Sequence, residues 1–259
     1  CGLFFASGKK SFLSSRIAKR VTSSSMKSFY RYYRYLQGRG NDQKAELMKL
    51  LDLLTINETR FFRNRPQFEL LEKIVLPTII EAKNQRGHPR LRIWSAGCST
   101  GEEPYSIAIS IMENLLRWQY WDVRIFASDL SLSALETATR GVYEASRLDG
   151  IIPERVNRYF ETCPEGYAVG DELKGKVIYD FHNLKHENGL EDLDIIFCRN
   201  VLIYFEPEEQ IRVLNRFIRA LSPGGYLFLG HSESVLGLTD ELSFVYHNKG
   251  TAYRKVQHQ

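Results

Sequence analysis

A chain of 259 residues with 43% hydrophobic and 25% charged residues carries enough apolar mass for a full core, which excludes a disordered chain and fits one large domain or one with a smaller companion. Its longest apolar runs, such as Asp194 to Cys198 and Tyr226 to Gly230, are strand-sized and fall far short of the roughly 20 residues of a membrane span. The net charge of +4 is unevenly placed, because residues 1–40 hold nine Lys or Arg and no acid, which leaves the remaining residues at −5. Such a basic end suits an acidic protein, nucleic acid or an anionic membrane surface, or is simply a solvated helical face. Cys1-Gly2-Leu3 opens without the cationic and long apolar regions of a signal peptide. Cys1, Cys98, Cys163 and Cys198 form no CxxC pair and no ligand spacing, so reduced thiols, a cytoplasmic location and no metal are expected. Cys198, at the end of a buried-looking strand, reads as a small core hydrophobe.

In chain order, Phe12/Ile17, Phe29/Tyr33/Leu36 and Leu47/Leu50/Leu51/Leu54 fall at helical spacing, with breaks near Thr22 to Ser25 and at Gly38-Arg39-Gly40. They predict three short helices over residues 1–54, the third capped by Asn41 or Asp42. Thr55 to Arg65 then breaks the pattern and clusters Asn57, Thr59, Arg60 and Arg63 around Phe61 and Phe62, an unusual composition for a linker. A helix opened by Pro66 turns Phe68, Leu71 and Val75 inward and stops near Gly87-His88-Pro89, closing a connecting segment over 55–90. From 91 to 259 strand and helix alternate, which implies a mostly parallel sheet covered on both faces. The strands are Leu91 to Ser95, Val123 to Ser128, Leu193 to Cys198 and Tyr226 to Leu229, and the helices Glu102 to Trp118, Ser133 to Arg140 and one from Pro207 with Ile211, Leu214, Phe217, Ile218 and Leu221 on one face. Pro223-Gly224-Gly225 reads as the turn into the last of these strands. Between them, Pro153 to Phe160 reads as helix, and Gly166 to Val169 with Lys176 to Phe181 reads as an antiparallel excursion at about 153–180. Phe244 to His247 and Thr251 to Val256 close the chain as a hairpin across Asn248-Lys249-Gly250.

The chemistry concentrates in the stretch from Ile93 to Tyr105, a strand, a small-residue turn and a helix start. Gly97 and Gly101 give the turn permissive dihedrals and allow a ligand to approach the backbone closely. The full dinucleotide glycine triplet and the terminal Gly-Lys-Ser/Thr of a phosphate loop are both missing. Glu102 and Glu103 stand in the first helical turn, where they suit the helix end and repel a pyrophosphate. The loop therefore fits a ligand that is cationic or neutral at that point, or is a tight turn with two capping carboxylates. In an open α/β sheet, ligands lie beyond the carboxyl ends of the strands, which singles out Gly97, Asp129, Asn183, Arg199 and Asn200. Asp129 stands where a ribose diol finds its carboxylate acceptor, and it also suits a helix cap.

Five stretches in order carry a family resemblance: Asn57 to Arg63, Ser95 to Ser106, Ala127-Ser128-Asp129, Phe197 to Phe205 and Gly230 to Ser234. Together they resemble the CheR family, the chemotaxis-receptor glutamate methyltransferases that use S-adenosylmethionine. The resemblance implies an N-terminal all-α domain, a linker contributing to the cofactor site, and a class I S-adenosylmethionine-dependent methyltransferase (Rossmann-like) α/β sheet with a small antiparallel β-subdomain. It also implies a monomer with no membrane insertion, no nucleic-acid partner and no metal. Its partner would be the cytoplasmic helical bundle of a chemoreceptor, with a receptor C-terminal tail peptide on the β-subdomain.

Carried onto matching positions, the resemblance puts Asn57, Thr59 and Arg63 at the amino-acid end of the cofactor and Glu103, or its neighbour Glu102, near the amino group. Gly97 lies along the cofactor, Asp129 takes the ribose, Asn183 and Leu184 the adenine side, and Arg199 and Asn200 the methionine side. The absence of a phosphate loop agrees, because this ligand carries a sulfonium and an ammonium and no phosphate. The implied reaction is methyl transfer to a glutamate carboxylate, leaving S-adenosylhomocysteine; the alternatives are the same chemistry on a non-receptor protein or small carboxylate, and a module that senses S-adenosylmethionine without transferring it. Arg63 and Tyr204 are the catalytic candidates that orient the acceptor; Arg63 alternatively holds only the cofactor carboxylate, and Tyr204 only packs beside Phe205. Arg60 and His231 are lesser, structural candidates.

Overall fold

The computed structural model describes residues 2, 4–5, 7–86, 89–235 and 239–256. Three helices come first: α1 (Lys10–Ser23), α2 (Phe29–Leu36) and α3 (Asn41–Leu54). Ser28 caps α2 by accepting the Arg31 N–H, and Gly40, rather than Asn41 or Asp42, stands before α3. Val21, Tyr32 and Leu50 form their small core. The face of α2 differs from the expectation: Tyr32 is buried, while Phe29 and Tyr33 are exposed. Arg31 and Arg34 mark a polar face with Phe29, Tyr33 and Leu36 opposite, so periodicity alone points to that face and leaves Tyr32 at its edge. What chooses Tyr32 is its hydroxyl, which donates to Glu46 Oε1 at 2.8 Å, while Arg20 grips the same carboxylate through Nε (2.9 Å) and Nη2 (2.6 Å).

The linker runs into α4 (Arg65–Leu70), one π-type turn (Leu71–Val75) and α5 (Leu76–Arg86), a nearly continuous helix with Pro66 in its first turn. Gln67, fully buried, donates through Nε2 to Leu229 O (2.7 Å) and Thr251 O (3.0 Å) and so fastens this helix to the sheet. Gly87 and His88, where the sequence sets the helix end, and Cys1 lie outside the described residues.

The remaining elements are β1 (Arg90–Ala96), α6 (Glu102–Asn114), β2 (Asp122–Asp129), α7 (Leu132–Arg140), β3 (Val142–Tyr143), α8 (Pro153–Tyr159), β4 (Phe160–Cys163), β5 (Gly166–Val169), α9 (Asp171–Lys174), β6 (Val177–Phe181), β7 (Leu193–Cys198), α10 (Pro207–Ala220), β8 (Leu221–Leu229), β9 (Leu242–His247) and β10 (Gly250–Lys255). Seven strands form a mixed sheet in the order β6-β2-β1-β7-β8-β10-β9, parallel from β6 to β8. Antiparallel β10 and β9 complete it as a hairpin across Asn248 and Lys249, both at positive φ. Alternation along β1 sends Leu91 and Ile93 into the core under α4 and α6, and Trp94 and Ala96 into the core under α10. The chain winds from β1 outward through β2 to β6, then returns to place β7 on the other side of β1, so the strand order reverses between β1 and β7. That is where an open α/β sheet leaves a crevice.

Five details correct the sequence reading. Val177–Phe181 is not in the antiparallel excursion but pairs parallel with β2 as an edge of the main sheet. The small sheet is β3-β5-β4, which recruits Val142-Tyr143 and the Phe160–Cys163 strand that helical patterning absorbed. Helix α6 ends at Asn114 rather than Trp118, and α10 turns Val213 inward and Ile211 out. Pro223-Gly224-Gly225 lies within β8 as an irregularity, where a Cβ on Gly225 would stand 3.0 Å from Leu193 O.

Candidate functional site

At the carboxyl end of β1 the chain turns through Gly97 (φ 84°), Ser99 (φ 50°) and Gly101 (φ 95°). Only glycine fits at 97, since a Cβ there would meet Val201 Cγ2 at 2.5 Å. The turn is tied to β2: Gly97 N and Cys98 N donate to Ser128 O at 2.8 and 3.0 Å, and Ser99 N donates to Asp129 Oδ2 at 2.7 Å. Asp129 Oδ1 accepts Ser131 N at 2.9 Å. Asp129 therefore does hold backbone, as a capping residue would, while its carboxylate also faces the cavity. Burial pushes its pKa up and the N–H groups of Ser131, Ser99 and Leu130 pull it back, with burial the stronger.

The two glutamates separate cleanly. Glu102 is fully buried on the far side of the loop, accepting Thr100 Oγ1 (2.6 Å) with Arg147 Nη1 at 3.3 Å. Glu103 faces the cavity, accepts Ser95 Oγ at 2.7 Å and lies 3.3 Å from Arg199 Nε. Burial raises the Glu103 pKa against the pull of Arg199 and Ser95, and burial lowers that of Arg199 against the pull of Glu103. Arg199 Nη2 donates to Arg63 O at 2.5 Å, and its buried Nη1 has no partner among the described residues. A guanidinium N–H desolvated and unpaired in this way is costly unless an acceptor meets it.

One cavity gathers every residue singled out for cofactor and catalysis. Asn57, Thr59 and Arg63 enter from the linker, Gly97 and Glu103 from the β1 turn, and Asp129 from the end of β2. Asn183 and Leu184 follow β6, and Arg199, Asn200 and Tyr204 follow β7. Some of these side chains have local duties as well. Asn57 Nδ2 donates to Ser131 Oγ (3.0 Å), Asn183 Oδ1 accepts Lys185 N (3.0 Å), and Arg63 Nη1 donates to Glu58 O (2.7 Å). Burial raises the Tyr204 pKa, so the hydroxyl remains a donor at neutral pH. Arg60 and His231 are exposed and do not line the cavity.

Sequence reasoning missed several participants. Phe5 and Lys9 line the cavity mouth, and Phe4 N donates to Tyr204 O at 2.7 Å. Nothing in that segment's composition signals it. Ser95 and Glu233 sit inside stretches already singled out, and their polar character at the edge of buried strands was the available signal. The set suits a ligand that is cationic beside Glu103 and anionic beside Arg199.

Comparison with known proteins agrees with this geometry. Residues 57–251 match the family described as CheR methyltransferase, SAM binding domain, and residues 1–55 match the CheR methyltransferase all-alpha domain. Chemotaxis protein methyltransferase 1 of Pseudomonas aeruginosa is 39% identical over 262 residues, covering 98% of this chain and 93% of the relative. Chemotaxis protein methyltransferase 2 of Vibrio cholerae is 34% identical, covering 98% and 88%. The chemotaxis protein methyltransferase of Salmonella typhimurium is 37% identical, covering 93% and 82%. With two family matches spanning nearly its whole length and a cavity at the expected sheet edge, this chain belongs to the CheR methyltransferase family.

Proposed function

We propose that the chain methylates glutamate side chains of chemoreceptor cytoplasmic domains, using S-adenosylmethionine and forming glutamyl methyl esters. The observation that carries this reading is the pair of half-buried Glu103 and buried Arg199, with one guanidinium nitrogen unmet, in a cavity also lined by Arg63 and Tyr204. Glu103 would hold the cofactor ammonium, and Arg199 its carboxylate, with Thr59, Arg63 and Asn200 alongside. Asp129 would take the ribose diol, Gly97 would leave room for the backbone approach, and Asn183 with Leu184 would flank the adenine. Asn57, which donates to Ser131 Oγ, would serve the amino-acid end together with Thr59 and Arg63.

The bound cofactor supplies an electrophilic sulfonium methyl. The chain's own work is then to deliver a carboxylate to it. With an ordinary pKa near 4.3 the acceptor glutamate is already ionised at neutral pH, so no general base is needed. Arg63 orients it by a charge-assisted bond and Tyr204 by its hydroxyl, and a well-aligned approach is worth ~7 to 11 kcal/mol. The division into helices (1–54), connecting segment (55–90) and catalytic unit (91–259) follows this use. The helices face the acidic receptor bundle, the three-stranded sheet would take a receptor tail, and the enzyme acts as a cytoplasmic monomer. Incubation with methyl-labelled cofactor and a receptor cytoplasmic fragment tests the reading. Label should enter the fragment saturably, and no transfer, or transfer only to free small carboxylates, overturns it.

A further inference from the structure

The stretch Gly230 to Ser234 follows β8, and the roles assigned above leave it without one. Its Glu233 does not form an ion pair among the described residues. Instead its carboxylate collects backbone donors: Oε2 accepts Gly230 N at 2.6 Å and Asn200 N at 2.9 Å, and Oε1 accepts Ile203 N at 3.2 Å. The turn that carries it closes on itself through Glu233 N to Gly230 O (2.9 Å). It is also anchored to β10, where Val235 N reaches Tyr253 OH at 3.4 Å. A Cβ on Gly230 would sit 2.6 Å from Glu233 Oε2 and 2.7 Å from Asn200 N, so the arrangement has no room for a side chain there.

The two loops that Glu233 joins follow neighbouring parallel strands, β7 and β8. The loop after β7 needs such a hold. Asn200 has φ 60°, a left-handed conformation that an Asn adopts at a cost unless its surroundings fix it. Arg199 has its own anchors in Glu103 and Arg63 O; from Asn200 to Tyr204, Leu202 packs into the core with Leu229 and Val235, and the hydrogen bonds toward the β8 loop among the described residues go to this carboxylate. Three N–H donors on two oxygens require a group that only accepts, which a carboxylate is and an amide is not. We propose that Glu233 is a positioning residue for methyl transfer: it fixes the loop from Asn200 to Tyr204 so that the Tyr204 hydroxyl meets the acceptor carboxylate. The proposal rests on the function given above, and Glu233 itself touches neither cofactor nor acceptor.

The test compares Glu233→Gln and Glu233→Asp with the wild type in the full chain. Three readouts are needed: amide hydrogen exchange, calorimetry with S-adenosylhomocysteine, and transfer kinetics on a receptor fragment. Gln keeps the shape but turns an NH2 toward a backbone donor, and should lower kcat about 100-fold, as misplaced reacting groups do. Asp keeps the acceptor character but retracts by one methylene, and should lower kcat about tenfold. In both, the amides of Asn200, Ile203 and Gly230 should exchange faster while that of Gly97 keeps its protection. Affinity for S-adenosylhomocysteine should change less than kcat, because Arg199 and Glu103 are held independently. Wild-type kcat in either folded variant, or unchanged exchange at the three amides, overturns the proposal. Should Gln fail to fold, the Asp variant decides by the same criteria. A wild-type enzyme that transfers no methyl to the receptor fragment instead defeats the underlying function, and the exchange data still judge the clamp.

Discussion

Asp129, buried, and Glu103, half-buried, are both carboxylates at the sheet edge, but they answer to different partners. Asp129 is satisfied by backbone N–H groups on both oxygens, so it organises the turn before any ligand arrives. Asp129→Ala should weaken S-adenosylmethionine and S-adenosylhomocysteine alike by roughly 1.5 to 3 kcal/mol, the range for a hydrogen bond to a charged group. Unchanged affinity in calorimetry would leave Asp129 as a turn-holder only. Glu103 is raised by burial, so it takes up a proton in the folded chain at a higher pH than in the unfolded one. Without ligand it therefore costs stability as pH rises from the ordinary carboxylate value through its folded value. Binding runs the other way, because an ammonium needs the ionised form. Affinity for S-adenosylhomocysteine should fall with decreasing pH beginning above the ordinary carboxylate range, with a shallower fall in Glu103→Gln. Superimposable pH profiles would remove Glu103 from the ammonium site. Tyr204 and Arg63 divide similarly. Tyr204→Phe should lower turnover with cofactor affinity held within about threefold, whereas Arg63→Ala should damage both, because an orienting hydroxyl acts only once the acceptor is present. Single-turnover rates and cofactor titrations separate the two.

Among the elements, the first three helices depend on a polar knot as much as on their few apolar contacts. Burial pushes the Glu46 carboxyl up, but hydrogen bonds from Arg20 and Tyr32 outweigh it and hold it below the usual range. A depressed carboxyl contributes stability above its unfolded pKa and loses it as pH falls through the folded value. Glu46→Ala should destabilise the helical unit by about 1 to 3 kcal/mol at neutral pH. Calorimetric scans should show the gap from wild type closing in acid, and a gap independent of pH would mean the knot acts only by packing. This knot also shows where patterning fails. In the run Phe29 to Leu36 the side opposite Arg31 and Arg34 points to Phe29 and Tyr33, yet the hydroxyl chemistry of Tyr32 and a glutamate fourteen residues away decide the burial. Residues Val177–Phe181 were legible as a strand, but their parallel partner β2 lies far back in sequence, and the intervening β4–β5 hairpin made local pairing the natural reading. By contrast β1, β7 and the turn between Ala96 and Glu102 were legible because burial on both faces, glycine dihedrals and an acidic helix start leave distinct marks. Gly97, Asp129, Asn183, Arg199 and Asn200 were legible because they stand at or just beyond the end of a parallel strand, whereas Asn57, Thr59, Arg63, Glu103, Leu184 and Tyr204 were named through the family resemblance. The polar character of Glu233 was visible too, but its clamp was not, since that exists only across two loops.

For the whole molecule, charge is arranged in two parts. The exposed cations Lys10, Lys19, Lys27, Arg31 and Arg34 remain free to meet a partner, whereas Arg20 is committed to Glu46 and Arg16 to Leu53 O. Reversing Lys19, Arg31 and Arg34 to Glu should raise KM for a receptor fragment and flatten its salt dependence, with cofactor affinity unchanged. Adding Arg20 to that set would confuse docking with folding. If KM and its salt dependence both stay as in the wild type, this face is merely solvated. The most direct measurement on the whole account is the chemical nature of the transferred methyl. Receptor cytoplasmic fragment labelled by the enzyme from methyl-labelled S-adenosylmethionine is digested, mapped by mass spectrometry, and exposed to mild base. Label on glutamate side chains that is released by base is the predicted result; base-stable label, or label on any other residue type, contradicts glutamyl ester formation.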